Sequence, residues 1–244
     1  MQAGSRHSLQ SPISRKQCFD SRNRAKDESR DGDLDLAVCK ALVRLLAASN
    51  RGGVLLDVGC GASRFPEVAS ALFTVVAFDV SLKAVTMVRG NLAGKYVGTA
   101  TAIPLRGNCV DMVTCLDVIE HLPNPEVYFQ EAHRVLRSGG YLFVRTPNPD
   151  SLGLTLKREK WFGFRDPTHV MLKSIGFWKQ RLERGGFRLV ETGTDLFWDP
   201  PYFSESSNLF EKIVFIGTDL MVKLVKPYLP WNGGENAHLL AQKG

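Results

Sequence analysis

The sequence contains no apolar run long enough to cross a membrane, because charged residues interrupt its apolar stretches within about a dozen positions. Its first residues do not lead into the apolar segment that a secretory signal requires. The five cysteines are odd in number and form no Cys-x-x-Cys pair, which argues against a disulfide scaffold and a zinc site. These absences predict reduced thiols and a cytoplasmic protein.

The main part of the chain also lacks an excess of positive charge. Of the net charge of +6, residues 1–30 carry +4, from seven cations and three anions, which leaves +2 for all later residues. We therefore expect a disordered basic arm over 1–33 and a single domain over 34–244, with no basic face for nucleic acid. A transit peptide is an alternative for the arm, because no acidic residue precedes Asp20.

Apolar patterning over the domain alternates between buried strands and amphipathic helices. Continuous apolar strands separated by helices are typical of a parallel sheet covered on both faces, and two late strands without a crossover helix allow an antiparallel terminal strand. Strands are predicted at 53–59, 74–80, 95–100, 110–118, 141–147, 187–195 and 235–243, and helices at 34–49, 65–72, 81–92, 124–140 and 174–186. A loop over 147–172 and an apolar helical insertion over 196–234 complete the domain.

The stretch LLDVGCGASRF, residues 55–65, places a glycine loop after the first strand. A dinucleotide site needs a third glycine where this chain has Arg64, and a P-loop needs a Gly-Lys-Ser/Thr sequence that is absent. Asp57 before the loop suits a cationic ligand, and Asp79 at the end of the second strand suits ribose hydroxyls. A cationic nucleoside without phosphate fits these residues, and S-adenosyl-L-methionine is such a molecule.

Four segments, in this order and spacing, resemble the motifs of class I S-adenosylmethionine-dependent methyltransferases. They are LLDVGCGASRF, VVAFDVS, ATAIPLRGNCVDMVTCLDVIEHLPNP and EAHRVLRSGGYLFVRTPNP. The likeness is strongest to the branch that contains the ubiquinone-biosynthesis O-methyltransferases and the related type 11 enzymes. The resemblance implies an α/β, Rossmann-like, mainly parallel sheet of seven strands in the order 3-2-1-4-5-7-6, with strand 7 antiparallel and helices on both sides.

The resemblance also implies a set of cofactor-binding residues. The methionine end lies against Asp57, Gly59, Cys60 and Gly61, the ribose against Asp79 and Val80, the adenine against Thr99, Ala100 and Ile103, and the far side against Leu116 and Asp117. One position departs from the family pattern. Thr99 stands where the family usually has an acid that bonds the adenine amino group, so cofactor binding is expected to be weaker or to use another group.

Two histidines are the candidate catalytic residues. His121 follows the fourth strand at the sheet edge where ligands of α/β proteins bind, and His169 lies in an aromatic loop after the fifth strand. Purely structural roles are the alternatives, with His121 orienting a loop and Trp161, Phe162 and Phe164 anchoring the segment around His169.

A divalent cation is a further alternative at this edge. Asp117, Glu120, His121 and His169 resemble the metal set of some family members. The string x-x-Glu-His also occurs in metal-free relatives, and we assign no metal. Glu131 and His133 are expected on a solvated helix flank.

The function predicted from the sequence is S-adenosylmethionine-dependent methyl transfer to a hydroxyl of a small molecule, such as a glycan, a phenolic or a lipid-linked metabolite. An RNA 2′-O-methyltransferase and a non-catalytic binding module of the same fold remain alternatives, although we do not expect a nucleic-acid partner. The insertion is expected to pack on its own domain, with a lid, peripheral lipid contact or a second subunit as other uses. The sequence does not define the oligomeric state.

Overall fold

The computed structural model describes residues 36–49, 52–195, 209–210, 213–214, 217 and 228–244. The arm predicted over 1–33 and most of the insertion predicted over 196–234 lie outside these residues. No helix in the described part of the chain is long and apolar enough to span a membrane.

A seven-stranded sheet forms the centre of the described fold. Its strands are β1 (Val54–Val58), β2 (Thr74–Asp79), β3 (Gly94–Val97), β4 (Val110–Leu116), β5 (Leu136–Pro147), β6 (Phe187–Thr194) and β7 (Asn236–Lys243). They lie in the order β3-β2-β1-β4-β5-β7-β6, and β7 runs antiparallel to both of its neighbours. The predicted fold class, strand order and strand direction are confirmed.

Helices cover both faces of this sheet because its strands are apolar on both sides. They are α1 (Leu36–Ser49), α2 (Phe65–Ala69), α3 (Leu82–Met87), α4 (Pro125–Val135), α5 (Leu152–Lys157) and α6 (Ile175–Arg184). Side chains of α1 and α2 pack with Leu55, Val75 and Phe143 on one face. Side chains of α4 and α6 pack with Leu56 and Val113 on the other face.

Three helices end clearly before their sequence patterns predict, α2 by three residues and α3 and α4 by five each. Helix α3 ends at Met87 instead of 92, because the chain then passes so close to α2 that a Cβ on Gly90 would lie 2.8 Å from the Cα of Glu67. Helix α4 ends at Val135 instead of 140, because Leu136 is buried and pairs with β4. Residues 137–140 then form an irregularity at the start of β5.

The loop predicted over 147–172 contains more regular structure than expected. Its first part forms α5, whose start is capped by Ser151, and two short 3₁₀ turns follow at Arg158–Lys160 and Phe162–Phe164. Later in the loop, the amide of Met171 donates to the carbonyl of Glu120 at 2.9 Å. This bond holds the end of the loop against the turn that follows β4.

Candidate active site

The candidate site residues collect at the carboxyl ends of the parallel strands. Asp57 lies in β1, Asp79 ends β2, and Asp117 directly follows β4. Glu120 and His121 lie in the 3₁₀ turn at Ile119–His121. Because the carboxyl ends of parallel strands share one edge, the topology brings together residues that are far apart in the chain.

The loop after β1 requires glycine at its first turn. Gly59 has a φ of +74°, and a Cβ there would lie 2.2 Å from a methyl group of Val118. The amides of Gly59 and Cys60 both donate to the carbonyl of Phe78, at 2.8 and 3.1 Å. These contacts fold the loop against the end of β2, and the side chain of Val118 fills the space beside Gly59.

Asp79 holds the glycine loop and the next helix in place. One carboxylate oxygen accepts a 2.9 Å bond from the amide of Gly61, and the other accepts a 2.8 Å bond from the amide of Ser81. Each carboxylate oxygen can accept a second hydrogen bond. Asp79 therefore keeps the capacity to receive both hydroxyls of a ribose while it fixes the loop.

Asp57 is a buried acid behind the loop. Its side chain accepts a 2.6 Å hydrogen bond from the hydroxyl of Thr114 and is 2% exposed. Burial raises its pKa to about 7, a rise that the Thr114 bond opposes and the charge of Asp79 reinforces. A cation placed beside this carboxyl would favour its ionised form.

The three residues predicted to flank the adenine differ in exposure to solvent. Thr99 is exposed and its hydroxyl lies 2.9 Å from that of Thr101, whereas Ala100 and Ile103 are buried. The amide of Ile103 donates to Glu131 at 2.8 Å. The expectation that Glu131 is only a solvated residue is therefore wrong, because its carboxylate ties α4 to this segment.

Of the four residues in the metal alternative, Asp117 is directed elsewhere. It adopts a φ of +55°, its amide donates to the carbonyl of Arg145 at 3.0 Å, and its carboxylate accepts from the buried Arg145 guanidinium. This ion pair connects the ends of β4 and β5.

Two further residues predicted to contact the cofactor differ in exposure. Val80 beside Asp79 is exposed, and Leu116 is half-buried.

The other three residues converge. Glu120, His121 and His169 each offer an atom for binding a cation or proton, and these atoms lie within 4.8 Å of one another. The two imidazole rings are 4.7 Å apart between centroids. A buried carboxyl and two imidazoles thus share one small volume at the sheet edge.

Glu120 is fully buried and only partly satisfied within the described structure. Its Oε2 accepts a 3.0 Å bond from the hydroxyl of Thr146, whereas Oε1 has no hydrogen-bond partner among the residues described. That oxygen lies 3.9 Å from Nε2 of His169. Burial raises the pKa of Glu120 to about 8, and the nearby charge of Asp117 adds to the rise.

His169 is oriented by the aromatic loop that contains it. Its Nδ1 lies 2.7 Å from the carbonyl oxygen of Gly163, which can only accept, so Nδ1 carries a proton and donates. Gly163 is pressed against the buried ring of Trp161, where any Cβ would clash at 2.1 Å. The bond from Nδ1 to Gly163 turns Nε2 of the ring toward Glu120, 3.9 Å from Oε1.

Sequence reasoning did not identify several residues that organise this edge. They are Arg145, Thr146 and Thr168. Arg145 and Thr146 lie inside β5, where strand patterning does not show what a side chain contacts. Thr168 follows Asp166 in the order Asp-Pro-Thr, which is a signal for a hydrogen-bonded turn.

Comparison with known proteins gives the same family. A family model described as a methyltransferase domain matches residues 30–192. A ubiquinone biosynthesis O-methyltransferase of Nitrosomonas europaea is 33% identical over 102 residues, which is 38% of this chain and 43% of that protein. One of Caulobacter vibrioides is 31% identical over 159 residues, 62% of each chain.

A structural comparison supports the fold. A SAM dependent methyltransferase of Archaeoglobus fulgidus superposes with a TM-score of 0.59 at 20% identity, over 84% of this chain and 92% of that one. The matches span less than two thirds of the length of both curated relatives described above. The family match covers about two thirds of the chain. The chain therefore belongs to the methyltransferase-domain family, whose class I members use S-adenosylmethionine as the methyl donor.

Proposed function

We propose that this chain transfers a methyl group from S-adenosyl-L-methionine to a hydroxyl of a small molecule. A glycan, a phenolic or a lipid-linked metabolite is the acceptor class. The observation that carries the proposal is the convergence of Glu120, His121 and His169 at the sheet edge beside the predicted cofactor residues. These side chains can receive the proton that an acceptor hydroxyl loses when it attacks the methyl carbon.

The cofactor itself supplies the electrophilic methyl group. The chain's own contribution is to bind the cofactor, align the acceptor and accept a proton. In the proposal, Asp79 receives the ribose hydroxyls, the charge of Asp57 favours the cationic methionine end, and Ala100 and Ile103 flank the adenine. His121 is the proposed base, and His169 the proposed contact for the acceptor. In the step itself, a methyl–sulfur bond breaks, a methyl–oxygen bond forms, and the hydroxyl proton moves to the base.

A divalent cation is the second candidate use of the same three side chains. One carboxylate and two imidazoles form a donor set that suits a transition metal. Oε1 of Glu120, which has no hydrogen-bond partner among the described residues, fits that role. A bound cation would lower the pKa of an acceptor hydroxyl. The ion pair of Asp117 with Arg145 leaves three of the four residues in the sequence pattern for this site.

An RNA acceptor and a binding role without catalysis remain the alternatives. The charge outside residues 1–30 is nearly balanced, which disfavours a nucleic-acid partner. Both curated relatives described above are named as O-methyltransferases of ubiquinone biosynthesis, which supports a small-molecule acceptor. The intact Asp57, glycine loop and Asp79 support catalysis over a binding role.

A cytoplasmic location is supported by the free thiols of Cys60, Cys109 and Cys115.

The test is transfer of a labelled methyl group to a panel of acceptors: a catechol, a free glycan, a prenylated phenol in detergent and a short RNA. We expect one of the first three to be methylated on oxygen, and His121→Gln to lower kcat roughly a hundredfold. His133→Gln is the matched control. His133 lies on α4 and packs against Phe187 at the start of β6, so its change should leave kcat unaltered.

Three outcomes of this experiment separate the alternatives. Methylation of RNA alone would contradict the small-molecule proposal. Activity lost with chelator and restored by a transition metal would favour the cation over the histidine base. Cofactor binding without methylation of any acceptor in the panel would favour the binding role.

A further inference from the structure

We propose that Asp166 and Thr168 are positioning residues that hold the proton of neutral His121 on Nδ1 and leave the lone pair on Nε2. This inference rests on the proposed function of His121 as a base. It goes further by naming the residues outside the imidazole that select its base-competent form. The hydrogen-bond chain runs from Asp166 through Thr168 to His121.

The series of hydrogen bonds starts in a tight turn of sequence Asp-Pro-Thr-His, residues 166–169. The amide of His169 donates to the carbonyl of Asp166 at 3.1 Å, which closes the turn around Pro167. The side chain of Asp166 accepts bonds from the amide and the hydroxyl of Thr168, at 2.8 and 2.6 Å. Asp at the first and Pro at the second position are typical of such a turn. Hydrogen bonds within the turn therefore fix the Thr168 side chain independently of its contact with His121.

The direction of each hydrogen bond follows from the ionisation of Asp166. Burial raises its pKa, but the two bonds from Thr168 and the nearby imidazoles of His121 and His169 together outweigh that effect and leave the pKa below its ordinary value. An ionised carboxylate can only accept, so the Thr168 hydroxyl must donate its proton to Asp166. The Oγ1 of Thr168 then has only lone pairs to offer to Nδ1 of His121, which lies 2.8 Å away.

A second acceptor beside the same nitrogen supports this direction. The carbonyl oxygen of Thr168 lies 3.3 Å from Nδ1 of His121, and a carbonyl cannot donate. These two neighbours of Nδ1 are both acceptors, and they favour a proton on Nδ1. In the neutral ring, the lone pair is then on Nε2, the nitrogen able to receive a proton from an acceptor hydroxyl.

The same turn connects His121 to the second histidine. Its last residue is His169, and the amide of Met171 that follows donates to the carbonyl of Glu120. One short segment thus orients His121, supplies His169 and is itself bonded to the turn that contains Glu120 and His121. The Asp-Pro-Thr-His sequence is, on this account, the element that sets the geometry of the proposed base.

The direct test is the tautomer of His121, measured by nitrogen-15 NMR on the full chain at a pH where the ring is neutral. The His121 signal is assigned by its loss in His121→Gln. We expect the wild-type protein to show a protonated Nδ1. In Thr168→Val, which keeps the shape and removes the hydroxyl, the nitrogen shifts should move toward a mixture of tautomers. Thr168→Ser should restore the wild-type shifts.

Two NMR results would overturn the proposal. One is a protonated Nε2 in the wild-type protein, and the other is an unchanged His121 signal in Thr168→Val. Because this measurement needs no methyl transfer, its outcome is independent of whether the proposed reaction is found. A protein with the expected tautomer but no transferase activity would contradict the proposed function alone.

A kinetic test follows once an acceptor is known. Thr168→Val and Asp166→Ala, which removes the acceptor of both Thr168 bonds, should each lower kcat roughly tenfold, while the KM for S-adenosylmethionine stays unchanged. Thr168→Ser should recover most of the activity. Equal losses in Thr168→Val and Thr168→Ser, or a rise in KM without a fall in kcat, would show that the turn has only a structural role.

Discussion

At the scale of single residues, the buried acid behind the glycine loop is the clearest case of a site residue that lowers stability. In the unfolded chain its pKa is near 3.8, and in the folded protein it is about 7. Between these pH values the folded protein keeps a proton that the unfolded chain releases. Stability attributable to Asp57 therefore falls as pH rises through this window, by about 4 kcal/mol at most.

The first prediction concerns Asp57→Asn. The amide keeps an oxygen for the Thr114 hydroxyl but never ionises, so the free energy of unfolding should rise relative to wild type. The gain should be about 2–3 kcal/mol larger at pH 8 than at pH 5. Urea unfolding at both pH values measures this difference, and titration with S-adenosylhomocysteine should show weaker binding. A variant that is less stable than wild type at pH 8 would contradict the assignment.

The second prediction compares two glycines of the same loop. Gly59→Ala should cost about 3 kcal/mol, because it combines a φ of +74° with a Cβ at 2.2 Å from Val118. Gly61→Ala is the control, with a φ of +53° and no atom closer than 3.9 Å to the new Cβ. It should cost about 1 kcal/mol. Equal losses on urea unfolding would show that Val118 moves away freely.

Some single residues of the candidate site can be recognised from the sequence, and others cannot. Asp57, Gly59, Gly61 and Asp79 stand out from spacing alone, because each is defined relative to the ends of strands that the apolar pattern locates. The ion pair of Asp117 with Arg145 does not stand out. It depends on which side chains two neighbouring strands place together, and this is decided by packing across the whole sheet.

At the scale of elements, α4 supports the segment over 99–105, which contains the predicted adenine contacts and is called the adenine segment below, although α4 itself carries no predicted cofactor residue. Arg134 donates to the carbonyls of Leu105 and Ile103, at 2.7 and 2.9 Å, and pairs with Glu131, which accepts from the amide of Ile103. The predicted adenine segment is thereby fastened to the helix by side chains on two of its turns.

The third prediction follows from this attachment. Arg134→Ala should speed amide exchange at Ile103 and weaken S-adenosylhomocysteine binding roughly three- to tenfold, because the segment loses two backbone contacts. Arg137→Ala is the matched control. It removes an exposed ion pair with Asp111, outside the adenine segment, and should leave binding unaltered. An equal effect of the two variants would mean that α4 does not support the adenine site.

Element ends were the part of the secondary structure that the sequence predicted least well. Helices α3 and α4 each end about five residues early, although apolar spacing continues beyond Met87 and glycines follow Val135. The ends are decided by contacts distant in sequence, with α2 in the first case and β4 in the second. Apolar periodicity contains no information about these contacts.

At the scale of the whole molecule, the last strand completes the sheet from its interior. Strand β7 lies between β5 and β6, and residues 237–241 are buried. The fold therefore depends on pairing between the C-terminal strand β7 and strand β5, which lies almost a hundred residues before it in the sequence. The apolar pattern located this strand, and the family resemblance correctly placed it between its two neighbours.

The fourth prediction concerns this strand. Removal of residues 236–244 should abolish cooperative unfolding, because β5 and β6 lose their shared partner and several buried side chains. Removal of residues 1–30, predicted to be a disordered arm, is the comparison and should leave the thermal midpoint within about 2 °C of the full chain. A cooperative transition in the first variant would show that the sheet is stable without β7.

The claim that this sheet edge binds S-adenosylmethionine can be tested by calorimetric titration of S-adenosylhomocysteine into the full chain. We expect saturable binding at one site per chain, and loss of that binding in Asp79→Ala. A folded protein that shows no binding at millimolar ligand would contradict the claim.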